Sequence, residues 1–593
     1  MRTSGTSAGT TRGAWGSSTE ASTRRGNARS VERRLTWLWA GRALAWLSGT
    51  AGLLCGCAER PALTFTDVTE EAGIQFRYTF GDSTYENILE SSGSGVTVFD
   101  YDGDGDLDLY LLNGTYLEGI STADGRVFTG TPNELYRNNG DGTFTEVAAE
   151  AGLDDRHWSM AAAPLDYDAD GDVDLFLANY GPNRFFRNEG NGTFTEAGGA
   201  LGLRGPETVS GFTKWSVGGA FWDYDRDGAV DLFVCNFLAF DPDYVSPAAP
   251  HMMPHPTEYH GQASVLYRQG PDGRFTDVTR AAGLYRPESL CMGATVFDVD
   301  GDGDQDLFQA NDHQENFLFR NAGDGTFVDV GRQSGVTVNN QGLPTGSMHG
   351  TIGDVDGDGL IDLLVSDLTH GALYRQLGQG VFLDVTSQTG VAAAFEGKGA
   401  WAAALFDFAN DGDLDIFSAN GVAEELIEQL PLLLENDGTG HFREAGKRLS
   451  PYFREARTGR GAAVWDYDDD GDLDVIVSHI DLGGTAALLR NDGGNRNHWL
   501  GMTLVGQRGP ASAIGAVVTV EAGGRRQVKV NQWATSYLSS HDPRLHFGLG
   551  RVRRVDRLEI RWPDGVTETH HDLGADRYLR VEQGKGIVPR HLR

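Results

Sequence analysis

Apolar and polar positions along the chain fall into a repeating block. In the first copy, the apolar run Val96-Thr-Val-Phe99 leads into nine residues crowded with aspartate and glycine. A second apolar run, Leu109-Tyr-Leu-Leu112, follows. Short apolar runs on either side of a tight polar turn predict a buried β-hairpin. Farther on, Leu135-Tyr-Arg-Asn138 passes through a Gly-Asp-Gly link to Phe144-Thr-Glu146, which predicts a second hairpin. The acidic stretches begin at Asp100, Asp166, Asp223, Asp298, Asp354, Asp407 and Asp466, at intervals of 66, 57, 75, 56, 53 and 59 residues. Four short strands recurring at this period predict the blade of a β-propeller.

Two other motifs keep step. Phe-x-Asp/Glu begins at Phe65, Phe144, Phe194, Phe275, Phe327, Phe382 and Phe442. Partner segments end in Arg-Asn, Arg-Gln or Glu-Asn at Asn138, Asn188, Gln269, Asn321, Gln376, Asn436 and Asn491. The first Phe segment has no partner before it, and the last partner has no Phe segment after it. This count predicts that the N-terminal strand completes the last blade, closing a ring of seven over residues 62–492 and leaving no open edge.

The acidic stretch follows D-x-D-x-D-G-x-x-D. Side-chain oxygens fall at positions 1, 3, 5 and 9. They are Asp100, Asp102, Asp104 and Asp108; Asp166, Asp168, Asp170 and Asp174; Asp223, Asp225, Asp227 and Asp231; Asp298, Asp300, Asp302 and Asp306; Asp354, Asp356, Asp358 and Asp362; Asp407, Asp411 and Asp415; and Asp466, Asp468, Asp470 and Asp474. Glycine fills position 6 each time. Oxygen donors at this spacing suit a hard cation, and the flexible coordination of Ca²⁺ better than that of Mg²⁺. An EF-hand is excluded, because position 12 is Leu111 rather than a bidentate Glu and the flanks read as strands. A metal-free acidic surface is disfavoured by repulsion among the clustered carboxylates. In the sixth copy Ala409 replaces the position-3 aspartate, so up to seven ions are expected with that loop weak or empty. The chain of 593 residues has a formal charge of −35, and its seven loops hold 33 aspartates. The acidity therefore points to metal and away from nucleic acid.

The loop, turn and strand motifs in this order resemble the FG-GAP/VCBS repeats of integrin-type calcium-binding propellers. The resemblance implies that the loops lie on one face of the disc and that ligands meet the other. After residue 492 alternating strands such as Trp499-Leu-Gly-Met-Thr-Leu-Val505 predict a small β-sandwich of six or seven strands over 493–586, with 587–593 as a tail. Asn497-His-Trp-Leu500, Leu545-His-Phe-Gly-Leu-Gly550 and Arg561-Trp-Pro-Asp-Gly565 resemble the ASPIC/UnbV domain. With the propeller they resemble the cartilage acidic protein family and its bacterial relatives. Gln532-Trp-Ala-Thr-Ser-Tyr537 departs from the glycine-rich stretch expected there, which marks it as a place where a partner contact would differ. The fold class expected is all-β, a seven-bladed propeller with Ca²⁺ loops followed by a small sandwich.

Residues 1–57 read as a leader. Arginines are frequent up to Arg34, and a largely apolar stretch interrupted by Arg42 runs to Leu54. This predicts a secretory signal. Its end, Leu54-Cys-Gly-Cys57, resembles a bacterial lipobox with Cys57 lipidated. That would place the protein outside the cytoplasm on a bacterial envelope, with the lipid as its only membrane contact; plain secretion and an uncleaved anchor are the alternatives. Cys235 and Cys291 lie on neighbouring blades, as a disulfide or as two buried thiols.

Thirteen residues after each loop start stand Asn113, Asn179, Asn236, Asn311, Asp367, Asn420 and His479. Asn there ends a strand by bonding its own backbone, or else forms a ring of amides at a pore mouth able to grip a sugar or peptide. The same face gathers His157, His313, His349 and His370. The longest insertion, 237–264, adds His251, His255 and His260 with Met252 and Met253, as a ligand-contacting flap or a transition-metal site. Trp158 and Trp215 read as axial packing. Three functions follow. The first is a calcium-stabilised binding or adhesion protein with a glycan or protein ligand on the loop-free face, at Asn113, Asn179, Asn236, Asn311, His349, Asn420 and His479. The second is an envelope enzyme acting on polysaccharide through His349 or His157. The third is a structural component of an envelope complex.

Overall fold

The structure, a computed structural model, describes residues 63–589 apart from 369–370, 482–483, 508–512 and 534. The leader, with Cys57, lies outside the described residues, as does His370. In the first sheet Val96–Phe99, Asp108–Leu111, Glu134–Asn138 and Phe144–Glu146 pair in that order, all antiparallel. Sheets with innermost strands Trp158–Leu165, Ser216–Trp222, Cys291–Phe297, Thr345–Gly353 and Ala400–Phe406 repeat the pattern. In the seventh, Gly459–Trp465, Asp474–His479 and Ala487–Asp492 are completed by Thr64–Asp67, with Phe65 opposite Asn491 and Thr66 opposite Arg490. The N-terminal strand thus supplies the outer edge that the motif count requires. Each innermost strand packs on the next, and Gly459–Trp465 packs on Val96–Phe99, so the ring is closed.

Burial explains the motifs. The Phe of each outermost strand turns inward, while the two residues after it stay largely exposed, as in Phe144-Thr-Glu146. The acid then caps the next turn: Glu146 accepts the N–H of Ala148 at 2.8 Å and Asp277 that of Thr279 at 2.9 Å. The Asn or Gln that ends the third strand links neighbouring sheets. Its backbone N–H donates to the position-9 aspartate of its own loop, and its side-chain NH₂ donates to the position-2 carbonyl of the preceding loop. Asn188 reaches Tyr101 at 2.9 Å, Gln269 reaches Tyr167 at 2.9 Å, Asn321 reaches Tyr224 at 2.8 Å and Gln376 reaches Val299 at 3.1 Å. Asn436 reaches Val355, Asn491 reaches Phe408 and Asn138 reaches Tyr467, each at 2.8 Å. The last of these closes the circle.

The C-terminal region is a sandwich of eight strands, more than the six or seven expected. One sheet runs Leu545–Gly550, His498–Val505, Arg577–Glu582, Gly586–Val588, the other Arg525–Val530, Val517–Ala522, Arg554–Arg561, Thr567–Gly574. The final strand extends to Val588, past the expected boundary at 586. Leu500, Met502, Val518, Phe547, Ile560 and Trp562 fill the space between. His498–Val505 and Arg577–Glu582 are parallel neighbours.

The segment that departs from the family pattern meets the protein's own ring. Residues 535–542 run against the innermost strands. Ser540 N–H donates to Val96 O at 2.9 Å, Val98 N–H to Ser540 O at 3.2 Å, Ser536 Oγ to Ala403 O at 3.1 Å and Asp542 N–H to Val464 O at 2.9 Å. Tyr537 is fully buried against Trp401, ring centres 5.0 Å apart. The ring's axis is therefore occupied by its own C-terminal segment. Cys235 and Cys291 form a disulfide between the third and fourth sheets, with a Cα–Cα distance of 5.4 Å.

Replacing Asn321 by Ala leaves a buried carbonyl without its donor, so Asn321→Ala is expected to destabilise by about 1–3 kcal/mol. The urea midpoint should fall without a change in m-value, and an unchanged midpoint would remove the inter-sheet link from the account.

Candidate cation sites

All seven acidic loops share one geometry. The position-1 carboxylate accepts the N–H of the position-6 glycine, at 3.1 Å for Gly105 to Asp100, 3.0 Å for Gly303 to Asp298 and 2.7 Å for Gly412 to Asp407. Those glycines have φ between 85° and 97°, a region a side chain would strain. The position-5 carboxylate accepts the N–H of position 7, as Asp104 does from Asp106 at 2.9 Å. The position-9 carboxylate accepts two N–H groups, Asp108 from Tyr101 at 3.0 Å and from Asn138 at 2.8 Å. These bonds pull the carboxylates together. Three of them lie within 4.8 Å of one another at the first five loops: Asp100, Asp102 and Asp108; Asp166, Asp168 and Asp174; Asp223, Asp225 and Asp227; Asp298, Asp300 and Asp302; Asp354, Asp356 and Asp362. Buried Oδ1 atoms of Asp223 and Asp354 have no hydrogen-bond partner. An all-oxygen donor set with such orphaned oxygens fits a hard divalent cation.

Arginine from the third strand balances positions 3 and 5. Arg268 pairs with Asp225 at 2.5 Å and Asp227 at 2.8 Å, Arg375 with Asp356 at 2.5 Å and Asp358 at 3.0 Å, and Arg320 with Asp300 at 3.7 Å. The sixth repeat lacks both partners, with Ala409 at position 3 and Glu435 where the arginine would stand. Instead the C-terminal sandwich covers this loop. Arg525 pairs with Asp413, His546 Nε2 meets Asn410 Oδ1 at 2.6 Å, and the N–H of Gly550 donates to Asn410 O at 2.8 Å. Burial raises the Asp407 carboxyl to about 7, with Asp411 adding to the rise and half-buried Lys529 opposing it.

The sandwich also reaches other loops. Arg561 pairs with Asp298 at 3.1 Å, Tyr578 donates to Asp466 at 2.5 Å and Arg544 pairs with Asp469 at 2.5 Å. The acidic end of the ring is thus the docking face of the protein's own second domain.

A profile of the FG-GAP-like repeat matches residues 120–176, 166–234, 298–365 and 354–418, and that of ASPIC and UnbV matches 506–588. The chain carries FG-GAP-like repeats and an ASPIC and UnbV region. Cartilage acidic protein 1 of Mus musculus is 28% identical over 313 residues, covering 49% of this chain and 44% of the relative. That of Homo sapiens is 28% identical over 296 residues, covering 46% and 41%. The chain therefore spans less than half the length of these curated relatives. Among solved structures, an Agrocybe aegerita lectin recognising non-reducing terminal N-acetylglucosamine aligns at TM-score 0.35 and 18% identity, over 61% of this chain and 88% of the lectin. BBS1N in complex with ARL6DN aligns at TM-score 0.39 and 10% identity, over 73% of this chain and 98% of that one.

The proposed ring of amides at the other end of the FG-GAP ring is corrected by the structure. Asn113, Asn179, Asn236, Asn311 and Asn420 are each at most 2% exposed. Their NH₂ groups are spent on nearby backbone: Asn113 on Arg77 O at 3.1 Å, Asn179 on Pro182 O at 3.2 Å, Asn236 on Ala263 O at 2.7 Å, Asn311 on Glu315 O at 2.7 Å and Asn420 on Leu430 O at 2.8 Å. His479 is equally enclosed, Nδ1 at 2.7 Å from Thr485 O and Nε2 at 2.9 Å from Tyr452 Oη. His349 lies inside the axis beside Ser536 and Leu538, and burial lowers it to about 4. Asn179 and Asn311 bond backbone just beyond their own strand, as the strand-ending reading has it, whereas Asn113, Asn236 and Asn420 bond segments lying beside the strand end, because buried carbonyls there need donors. Trp158 and Trp215 are buried, as axial packing requires.

Charge and burial conflict in the FG-GAP loops. Burial first, then neighbouring aspartates, raise Asp100, Asp223 and Asp354 to about 6 and Asp166 and Asp466 to about 7. The same causes raise Asp174, Asp231 and Asp306 to about 8. The folded, chelated protein therefore binds protons that unfolded aspartates release near pH 4, and its stability falls as pH rises through 6 to 8. Lys214 and Lys529, lowered by burial to about 7 and about 8, oppose this but are fewer. Buried His349 and His541, lowered to about 4 and about 3, cost stability as pH falls below their unfolded value of roughly 6.5. With chelator present, the eight raised aspartates outnumber the two histidines, so the melting temperature is expected to rise as pH falls from 8.5 to about 5; a scan that climbs steadily to pH 8.5 would contradict it.

Proposed function

We propose that this is a calcium-stabilised, extracytoplasmic binding or adhesion protein that holds a glycan or protein ligand at the loop-free end of the ring. The observation that carries the reading is the occupation of the opposite end and of the axis by the protein's own sandwich and its segment 535–542. A surface already used in this way is not offered to a partner. The loop-free end carries the 237–264 insertion, whose Phe237 and Phe240 pack on Trp215 with ring centres 5.1 and 6.1 Å apart, so the insertion is anchored at its base. Its outer part is exposed at Val245 and Met252.

Calcium is the ion proposed. It would be held by the aspartates at positions 1, 3, 5 and 9 and would supply the positive charge that the buried carboxylates need. Six sites are proposed, the loop at Asp407 being served by the sandwich instead. The similarity to cartilage acidic protein 1 supports an extracytoplasmic place for the chain. Among the described residues no helix is long and apolar enough to cross a membrane. A lipid anchor at Cys57 stays part of the proposal. Binding rather than turnover is proposed because His349, one of the two histidines named for catalysis, is enclosed.

Each site saturated a hundredfold above its Kd adds about 2.7 kcal/mol. Chelation should therefore lower the melting temperature by about 10 °C or more. Calorimetric titration should count six ions, falling by one in Asp302→Asn and unchanged in Asp411→Asn. An unchanged melt in chelator would overturn the calcium reading. Immobilised protein should retain a glycan or envelope protein in calcium, and lose it when 237–264 is deleted. Retention unaffected by the deletion would move the site elsewhere.

A further inference from the structure

The fourth sheet breaks the repeat at the loop-free end of the axis. Its second strand, Asp306–Gln314, has nine residues and runs past Asn311, where the other second strands end or nearly so. The overshoot pairs with the fifth sheet, Asp312 opposite Gly346, and so joins two sheets that are separate elsewhere along their length. His313 takes φ +51° in this extension, an uncommon conformation for a non-glycine residue. The result is that Asp312 and His313 line a small cavity together with Glu424. Its apolar walls come from Ile88, Phe237, Met292, Met348 and Trp401. Met253 of the insertion stands at its mouth, partly exposed.

Asp312 is 3% exposed, and its Oδ1 has no hydrogen-bond partner. The nearest basic group is His313 Nε2 at 3.6 Å, beyond hydrogen-bond reach, and burial lowers that imidazole's affinity for a proton. Asp367 and Glu424 add negative charge around Asp312. A buried carboxylate with an open oxygen and no cation beside it is costly. A ligand that brings a positive charge and an N–H donor into the cavity would relieve that cost, and the cavity has room for a group of about the size of an ammonium head.

We propose that this cavity, of about 20 Å³, receives the ammonium head of an organic amine, with Asp312 accepting its N–H and Glu424 guiding it at the mouth. The inference rests on the reading that the loop-free end is the ligand end, and it names the chemistry of one part of that ligand. The amine would come from a free diamine or from a lysine side chain.

Calorimetric titration of the intact protein in calcium, with cadaverine and with Nα-acetyl-lysine methylamide, separates the two sources: the amide binding more tightly assigns a peptide-borne lysine, cadaverine more tightly a free amine. Hexanoate, of similar apolar length and opposite charge, is the control. Binding of either amine but not hexanoate is expected. It should weaken about tenfold or more in Asp312→Asn and less in Glu424→Gln, an exposed change that keeps the test open if the first variant fails to fold. Equal binding of hexanoate, heat from Zn²⁺ but from neither amine, amine affinity untouched by both variants, or no heat from any probe at millimolar concentration would overturn the proposal. A glycan or protein captured through the insertion but indifferent to cadaverine would leave the broader reading intact and remove this one.

Discussion

Negative charge buried at one end of a ring is the constraint on which the rest of this structure depends. Each loop gathers carboxylates because its backbone N–H groups need acceptors in a tight turn, and aspartate supplies them at positions 1, 5 and 9. The same carboxylates then repel each other in partly buried surroundings. Burial pushes Asp174, Asp231 and Asp306 to about 8, which is the measure of that conflict. Arginine from the third strand relieves part of it at positions 3 and 5. The asparagine beside that arginine then carries the arrangement to the next sheet, so the loops serve as the ring's circumferential fastening as well as its candidate cation sites.

The sandwich answers the same charge. Arg525, Arg544 and Arg561 reach three of the last four loops, and half-buried Lys529 lends its charge to Asp407. The sixth loop shows how the two solutions exchange. Where Ala409 removes the position-3 carboxylate, Glu435 removes the arginine that would have paired with it, and the neighbouring domain closes over what is left. A damaged loop in the sequence is thus a contact surface in the fold.

Much of this was legible in the chain. The acidic loops, the Phe and Arg-Asn motifs and the closing role of Phe65-Thr-Asp67 follow from local periodicity, because each is set within its own repeat. The inter-sheet reach of Asn188 or Asn436 was not, since a residue repeated seven times gives no sign of which neighbour it touches. The path of 535–542 was even less visible. Its departure from a glycine-rich pattern marked it, but only the fold shows that Tyr537 packs on Trp401 rather than on a partner. The asparagines at Asn113, Asn179, Asn236, Asn311 and Asn420 misled for the opposite reason: regular spacing drew attention to residues whose regularity comes from ending a strand.

Regularity and function therefore part company in this ring. A position filled the same way in all seven repeats is one that every sheet needs, and its side chain is spent on backbone or on the next sheet. Residues free to recognise something else are those the repeat does not dictate. In the ring they cluster at the loop-free end, where the insertion 237–264 links the second and third strands of the third sheet and where the fourth sheet's second strand overshoots to set Asp312 and His313 over the axis. A buried carboxylate whose Oδ1 no neighbour satisfies costs stability without helping the ring to close. That cost is understandable where a ligand repays it, which is the physical reason to place recognition there rather than among the seven loops.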